Sequence, residues 1–197
     1  MVRKIRNAKL VFLLLAVMLS GAEASFSQTQ NIPVLKTMQD SIFNVGDEIK
    51  MPHLLFDLNG GWLLEPSKDS LKQVGAFLIK HPKLVVEIST HTDYRSPAEY
   101  NEQLSSRRAK FCADYIVIEL GIASQRIFSK GYGENRPAYL YSDLILPSGQ
   151  IVKVGTQLTE KWINTNYPIA KNKDDFEALM YQNRRTSMKI IRTDYGQ

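Results

Sequence analysis

The chain of 197 residues has one cysteine and three histidines, so two common kinds of site have little to build on. Because Cys112 stands alone, no intramolecular disulfide can form and the fold must be held by its core. His53, His81 and His91 lack the H-x-x-x-H or C-x-x-C spacing of a metal site. No nucleophile elbow, phosphate-binding loop or dinucleotide fingerprint is present either. We therefore expect no metal, no cofactor and no enzymatic activity.

The first residues are apolar over too short a stretch to span a bilayer. Leu10–Leu19 offers ten apolar residues against the roughly 20 of a membrane helix. A basic stretch precedes it and the small-x-small site Ala22-Glu23-Ala24 follows, which predicts a secretory signal peptide over residues 1–24. Its removal takes away four basic residues and one acidic residue and lowers the formal charge from +5 to +2. Nucleic acid binding is not expected of such a balance, and membrane association is expected to be only peripheral or through a partner.

Hydrophobic periodicity, proline stops and glycine turns predict strands alternating with helices. The predicted strands cover residues 48–57, 83–92, 126–131 and 186–192. The predicted helices cover residues 66–80, 97–120 and 174–183. This alternation indicates an α/β fold, a two-layer sandwich of a mixed sheet of about four strands with helices packed on one face.

The secreted part divides into an arm and a domain. Residues 25–44 are polar and without sustained periodicity, which predicts a linker or docking arm before a domain at 45–197. Residues 134–173 are predicted to be an insertion whose apolar runs flank a proline and glycine turn and form a hairpin. Its aromatic residues either form a partner surface or pack the insertion onto its own domain, the commoner case. They are Tyr139, Tyr141, Trp162 and Tyr167.

The helix predicted at 97–120 carries a charge on its apolar face. Ser96, Pro97 and Glu99 predict its start, with a serine N-cap and a glutamate that closes a capping box. Arg108 falls on the apolar side, where a buried guanidinium needs a carboxylate partner. Asp93 precedes the helix and is able to hold an ammonium. The two residues therefore either pair with each other or hold the opposite ends of a zwitterionic ligand.

Five motifs in order resemble the OmpA-like C-terminal domain family, which binds peptidoglycan noncovalently. They are F-D-L-N at 56–59, H-T-D at 91–93, L-S-S-R-R-A at 104–109, G-Y-G-E at 131–134 and N-R-R at 183–185. The resemblance runs from about Val45 to Arg192 and implies the same two-layer fold. The long insertion, with G-T-x-L-T at 155–159, resembles members from the Bacteroidetes group.

The resemblance implies a role for particular side chains. Arg108 would take the carboxylate and Asp93 the ammonium of diaminopimelate in the wall stem peptide. Asn59, Asn101 and Arg184 fall at positions that resemble supporting contacts. Ser96 stands where members commonly carry glycine, three residues after the aspartate, so the shape of this loop is expected to differ.

The expected function is therefore noncatalytic attachment to the cell wall in the periplasm or at the outer membrane. The alternative is a scaffold or adaptor in a motility or secretion complex, which would bind an envelope protein through the insertion or the N-terminal arm. A wall-cleaving enzyme would need an acid and base pair or a metal site, for which the sequence offers no candidate residues.

Overall fold

The computed structural model describes residues 35–57 and 60–197. The elements within them are β1 (Leu35–Lys36), β2 (Glu48–Ile49), α1 (Glu65–Lys80), β3 (Val85–Thr90), α2 (Ala98–Ile118), β4 (Ile127–Gly131), β5 (Leu144–Ile145), β6 (Ile151–Val152), α3 (Glu160–Asn166), α4 (Lys173–Asn183) and β7 (Thr186–Arg192). The predicted signal peptide at 1–24 and the side chain of Asn59 fall outside the described residues. Among the described helices, none has both the length and the apolar character required to cross a bilayer.

Five of the strands form one mixed sheet in the order β1-β2-β7-β3-β4. β3 runs parallel to β4 and antiparallel to β7, which in turn is antiparallel to β2. The predicted α/β fold is confirmed, with five strands in the described residues instead of about four. The additional strand is β1, which pairs parallel to β2 and belongs to the segment predicted as a linker or docking arm. Phe43 of that segment packs edge-on against Phe77 of α1, 5.2 Å between ring centroids.

Helices α1 and α2 cover one face of the sheet and enclose the main core. The side chains of β3 alternate between the two faces of the sheet, so Val86 and Ile88 point into this core while Glu87 lies on the opposite side. Leu71, Val74 and Ile116 from the two helices are 0% exposed and pack in the same cluster. Burying such side chains supplies most of the favourable free energy of folding, about 1.5–3 kcal/mol for each one.

A second apolar cluster joins the insertion to helix α4. Leu158 and Ile163 of the insertion and Leu179 of α4 are 0% exposed within it. Trp162 and Tyr167 pack on its border, so these two aromatic residues serve the packing of the insertion on its own domain. Excision of the insertion would therefore expose the apolar side of α4.

The strand predicted over residues 48–57 is wrong for most of its length. Only Glu48–Ile49 pairs with β7, and Phe56 makes an isolated antiparallel bridge to Leu63. Pro52 has no N–H to donate to a ladder, which favours the end of a strand before it. After Pro52 the chain turns, and Asp57 makes two hydrogen bonds to Trp62. The Asp57 N–H donates to the Trp62 carbonyl at 2.9 Å, and Asp57 Oδ1 accepts from the Trp62 N–H at 2.9 Å.

The capping box predicted for α2 is not formed. The helix begins at Ala98, so Pro97 is the N-cap residue and no side chain caps the helix. A capping box needs the backbone N–H of the N-cap residue, which proline lacks, and the shift by one residue also moves Glu99 away from its capping position. The connection between β3 and α2 is held instead by Asn101 of the helix. The Asn101 side-chain amide donates to the carbonyls of Asp93 and Ser96 at 2.9 and 3.0 Å.

The end of β4 lies directly against α2, and only glycine fits there. A Cβ atom on Gly131 would lie 2.2 Å from the backbone nitrogen of Ser106 and 2.5 Å from Ser105 Oγ. This close approach lets Thr90 Oγ1 donate to the Ser105 carbonyl at 2.5 Å and lets Ser105 Oγ accept from the Gly133 N–H at 2.9 Å. The contact fixes α2 beside the end of the sheet where the candidate site lies.

We expect Gly131→Ala to destabilise the protein by about 1–3 kcal/mol, the usual cost of overpacking, because the clash is with backbone that cannot rotate away. Urea unfolding measures the change. Gly61→Ala is the matched control, since its added methyl would meet Arg107 Cβ at 3.4 Å, an ordinary contact, and should cost less than about 0.5 kcal/mol. Equal stability of the two variants would show that α2 does not dock as described.

Candidate functional site

The candidate site lies where three strands meet at one edge of the sheet. Because β7 runs antiparallel to β3, its first residues lie beside the last residues of β3. Thr90 pairs with Thr186, and the His91 N–H donates to the Arg185 carbonyl at 2.9 Å. This topology brings Asp93, just beyond β3, next to Arg184, just before β7. The two residues are 91 positions apart in the chain.

The Asp93 carboxylate is held by two arginines and a backbone amide. Its Oδ2 accepts from Arg184 Nη1 at 2.6 Å and from Arg95 Nη2 at 2.8 Å. Its Oδ1 accepts from the backbone N–H and Nε of Arg95 at 3.1 and 3.2 Å. Burial raises the pKa of Asp93, but the hydrogen bonds from Arg95 and Arg184 outweigh it and hold the pKa below its ordinary value. With 9% of its side chain exposed, Asp93 is a buried anion whose acceptor positions are all in use.

Arg95 was not identified as a site residue from the sequence. Besides Asp93, it binds Glu177 of α4, with Nη1 2.7 Å from Oε1, and 41% of its side chain is exposed. Glu177 also lies 4.0 Å from Arg184 Nη1. The position of Arg95, two residues after Asp93, was the available signal in the sequence. Its partner Glu177 on α4 becomes visible only when the fold is known. The four side chains form one network of alternating charge.

Asn101 is 2% exposed and shapes the connection that carries Asp93. Its side-chain nitrogen donates to the carbonyls of Asp93 and Ser96 and to Glu134 Oε2, the last at 2.6 Å. The side chain therefore points into the connection and positions Asp93. Ser96 contributes its carbonyl to this arrangement.

Arg108 lies on the other side of the site and does not touch Asp93. Its Nε donates to the Gly60 carbonyl at 3.0 Å, and its guanidinium carbon lies 4.9 Å from the centre of the Phe56 ring. Burial lowers its pKa, which the more distant charge of Asp57 partly offsets. Among residues 35–57 and 60–197, Arg108 has no carboxylate within ion-pair distance, and the direct pair with Asp93 is not formed.

A cavity of about 180 Å³ lies at the site, and Asp93 is not part of its lining. Arg108 and Arg184 both line it, together with Arg185, Thr90 and Thr186. Two guanidinium groups at one small cavity favour a carboxylate, which accepts paired hydrogen bonds from such a group. The cavity is smaller than the 300–1,000 Å³ of pockets that enclose a whole ligand, so it suits one end of a larger ligand.

Neither a thiol nor a metal site accompanies this cavity. Cys112 is 0% exposed, and burial raises its pKa to about 12, so it remains a neutral thiol within the core. No cluster of three or more metal-ligating side chains occurs in the part of the chain that the structure describes.

His91 is buried beside the cavity and stacks on Tyr132, with ring centroids 5.4 Å apart. Burial, together with the positive charges of Arg185 and Arg136, lowers the pKa of His91 to about 2. The unfolded chain protonates this residue near pH 6.5, whereas the folded protein does not. Because the unfolded state then binds more protons, stability is full above pH 6.5 and falls as the pH drops through that value.

We expect the free energy of unfolding to be lower at pH 5.0 than at pH 7.5 by about 2 kcal/mol from His91 alone. His53 and His81, whose pKa values burial also lowers, add to the same trend. His91→Phe keeps an aromatic ring on Tyr132 and removes the titration, so it should lose much less stability over this range. Urea unfolding at the two pH values measures the difference, and an unchanged loss in His91→Phe would contradict the assignment.

Comparison with known proteins shows a family match for one part of the chain. Residues 55–144 match the OmpA family; this segment contains Asp93, Asn101 and Arg108, while Arg184 lies beyond its end. A segment of 82 residues is 34% identical to outer membrane porin F of Pseudomonas aeruginosa, covering 42% of this chain and 23% of the porin. A segment of 108 residues is 31% identical to the peptidoglycan-associated lipoprotein of Rhizobium meliloti, covering 55% of this chain and 58% of the lipoprotein.

Among solved structures, the peptidoglycan-associated lipoprotein from Burkholderia pseudomallei aligns with a TM-score of 0.43 and 20% identity. The alignment covers 71% of this chain and 86% of that one.

Proposed function

Since residues 55–144 of this chain carry an OmpA family domain, we propose that the protein is a noncatalytic module that attaches to peptidoglycan. It would act in the periplasm, at the cell wall or outer membrane, and anchor the envelope or an envelope complex. The names of the matching lipoprotein and outer membrane porin support this location. The observation that carries most weight is the small cavity, because Arg108 and Arg184 line it and no carboxylate of the described residues does.

The proposed ligand is the zwitterionic end of diaminopimelate in the wall stem peptide. Its carboxylate enters the cavity between Arg108 and Arg184, and its ammonium lies at Asp93. Arg184 then joins the two ends, since it lines the cavity and binds Asp93 at 2.6 Å. Asn101 fixes the connection that carries Asp93. Asn59 is proposed as a supporting contact because it precedes Gly60, whose carbonyl accepts from Arg108.

A ligand ammonium must replace at least one of the hydrogen bonds that Asp93 already accepts. Arg95 is the group to move, because it is more exposed than Arg184 and keeps Glu177 as a second partner. Its displacement therefore leaves no charge unpaired. Arg95 would therefore compete with the ligand ammonium for Asp93.

We expect Arg95→Gln to bind peptidoglycan at least as tightly as the wild type, with a gain of about two- to fivefold, because the ligand ammonium would no longer have to displace the guanidinium from Asp93. Co-sedimentation with increasing amounts of wall material measures the change. Lys110→Gln, which removes a cation that is paired with Asp114 on α2 and is more exposed than Arg95, is the control. Loss of binding in Arg95→Gln would mean that Arg95 itself contacts the ligand and does not compete with it.

The proposed function itself is tested by co-sedimentation of the protein, without residues 1–24, with purified diaminopimelate-type wall sacculi. Soluble meso-diaminopimelate is then added as a competitor. We expect the protein to sediment with the wall and to be released by millimolar competitor. Protein that stays in the supernatant, or that sediments regardless of competitor, would contradict binding through diaminopimelate.

One observation favours the scaffold or adaptor role as a second candidate. The β5–β6 hairpin and the turn after it expose three β-branched apolar side chains, at 71%, 50% and 55% for Ile145, Ile151 and Val154. Neighbouring exposed apolar residues of this kind are typical of a protein contact. Replacing all three by serine leaves the second core cluster intact, so it separates the candidates better than deletion of the insertion. Loss of an envelope partner with unchanged wall binding would establish the second role beside the first.

A further inference from the structure

A second, larger cavity begins where the first one ends. It is a groove of about 650 Å³ on the side of the sheet opposite α1 and α2, between the β2–β7 pair and residues 135–141. The two cavities share three lining residues, His53, Arg185 and Thr186. Its volume lies within the range of pockets that enclose a whole small ligand. A ligand held in the small cavity would therefore continue over Arg185 into the groove.

The charges along the groove are mostly positive. Lys50, Arg136, Arg185 and Lys189 line it, against one carboxylate, Glu48. In the described part of the chain, none of these four cations makes an ion pair. Glu48 instead accepts from the Tyr141 hydroxyl at 3.3 Å. Such an excess of unpaired positive charge favours a ligand that carries carboxylates.

Arg185 marks the junction of the two cavities. Burial lowers its pKa to about 10, and the negative charge of Glu48 acts in the opposite direction. One of its nitrogens, Nη2, donates to the Arg136 carbonyl at 3.0 Å, while the buried Nη1 has no partner among the described residues. A buried N–H donor without a partner is costly, which indicates that Nη1 serves a ligand or a bridging water.

Aromatic rings and amides complete the groove. Tyr139 and Tyr141 lie edge to face with centroids 5.4 Å apart, and Tyr181 stacks on His53 at 4.3 Å. The side chains of Asn135 and Gln157 also line it and are exposed. Rigid rings with polar ends bind an extended chain at a low entropy cost, and amides serve the N–H and C=O groups of a peptide.

From the shared residues and the charge, we propose that this groove is a second subsite for a carboxylate-bearing peptide, the part of the stem peptide that extends away from diaminopimelate. The inference rests on the proposed function and deepens it. The zwitterionic end of diaminopimelate fills the small cavity, and the rest of the stem, with the free carboxylate of its glutamate, lies along the groove. Lys50 and Arg136 are the exposed cations that reach this carboxylate.

The test compares two soluble ligands by isothermal titration calorimetry. One is meso-diaminopimelate, and the other is the stem tripeptide of alanine, glutamate and meso-diaminopimelate. The variant is Lys50→Gln/Arg136→Gln, which removes two exposed charges of the groove. Lys130→Gln is the matched control, because Lys130 is exposed and lies over the same Tyr132 ring as Arg136, at 5.0 against 3.7 Å, but does not line the groove.

We expect the wild type to bind the tripeptide about tenfold more tightly than diaminopimelate alone. The double variant should lose most of that advantage, about three- to tenfold, and bind diaminopimelate as the wild type does. The control should match the wild type with both ligands. Unchanged tripeptide binding in the double variant would overturn the proposal.

Two further outcomes distinguish the alternatives. The wall disaccharide without peptide is tested in the same way. If it binds the wild type and binds the double variant more weakly, the groove holds glycan and the peptide assignment is wrong. If the wild type binds neither the tripeptide nor diaminopimelate, the proposed function fails and the groove proposal fails with it.

Discussion

Arg108→Ala is expected to weaken binding to diaminopimelate-type peptidoglycan by about 2–5 kcal/mol, from roughly thirtyfold to several thousandfold. The guanidinium carbon lies 4.9 Å from the centre of the Phe56 ring, Nε donates to the Gly60 carbonyl, and Arg108 and Phe56 both line the cavity. These contacts fix the position of the Arg108 guanidinium without neutralising its charge, which can then pair with a ligand carboxylate. Arg108→Lys keeps the charge but loses the planar fork, so it should recover only part of the affinity.

Arg107→Ala is the matched control for this variant. Arg107 precedes Arg108 on α2, carries the same charge and is exposed. It does not line the cavity, so its removal should change binding less than about threefold. Equal losses in Arg107→Ala and Arg108→Ala would indicate general attraction to an anionic wall in place of a defined site.

Asp93→Asn is expected to weaken binding by a similar amount, about 2–5 kcal/mol. The substitution keeps the shape of the side chain and removes the negative charge that would hold the ammonium. The free energy of unfolding should fall by only about 1 kcal/mol, because Arg95 and Arg184 are each at least a third exposed and remain solvated. Co-sedimentation together with urea unfolding separates the two effects.

Glu177→Gln provides the comparison, since it removes the other carboxylate that binds Arg95. Glu177 does not line the small cavity, so we expect at most a threefold change in wall binding. If Glu177→Gln weakens binding as much as Asp93→Asn, the network as a whole would be required and Asp93 would have no separate role.

Much of the fold follows from local signals in the sequence. The strand at 85–90, the long helix at 98–118 and the last helix and strand all lie within or close to their predicted ranges. The first two have a proline or glycine near one end, and the last helix begins with acidic residues that suit its positive end, so local preference and burial agree. The prediction of a strand at 48–57 was wrong because the apolar residues there form a turn and an isolated bridge. Their alternation in the sequence looks the same as that of a strand in a continuous ladder.

The site was partly predictable for a different reason. Arg108 stands out because a charge on an apolar helix face needs an explanation, and the resemblance pointed to Asp93 and Arg184. That Arg184 binds Asp93 directly depends on the antiparallel pairing of β7 with β3, which no local pattern encodes. The role of Arg95 and the groove beside Arg185 depend in the same way on tertiary contacts with α4 and the insertion.

The decisive measurement is the affinity of the wild-type protein for two kinds of wall, one with diaminopimelate and one with lysine at the third position of the stem peptide. Lysine keeps the ammonium but lacks the side-chain carboxylate, so Arg108 and Arg184 would have nothing to bind. We expect the lysine-type wall to bind at least thirtyfold more weakly, which corresponds to about 2 kcal/mol. Equal affinity for the two walls would contradict recognition of diaminopimelate through its carboxylate.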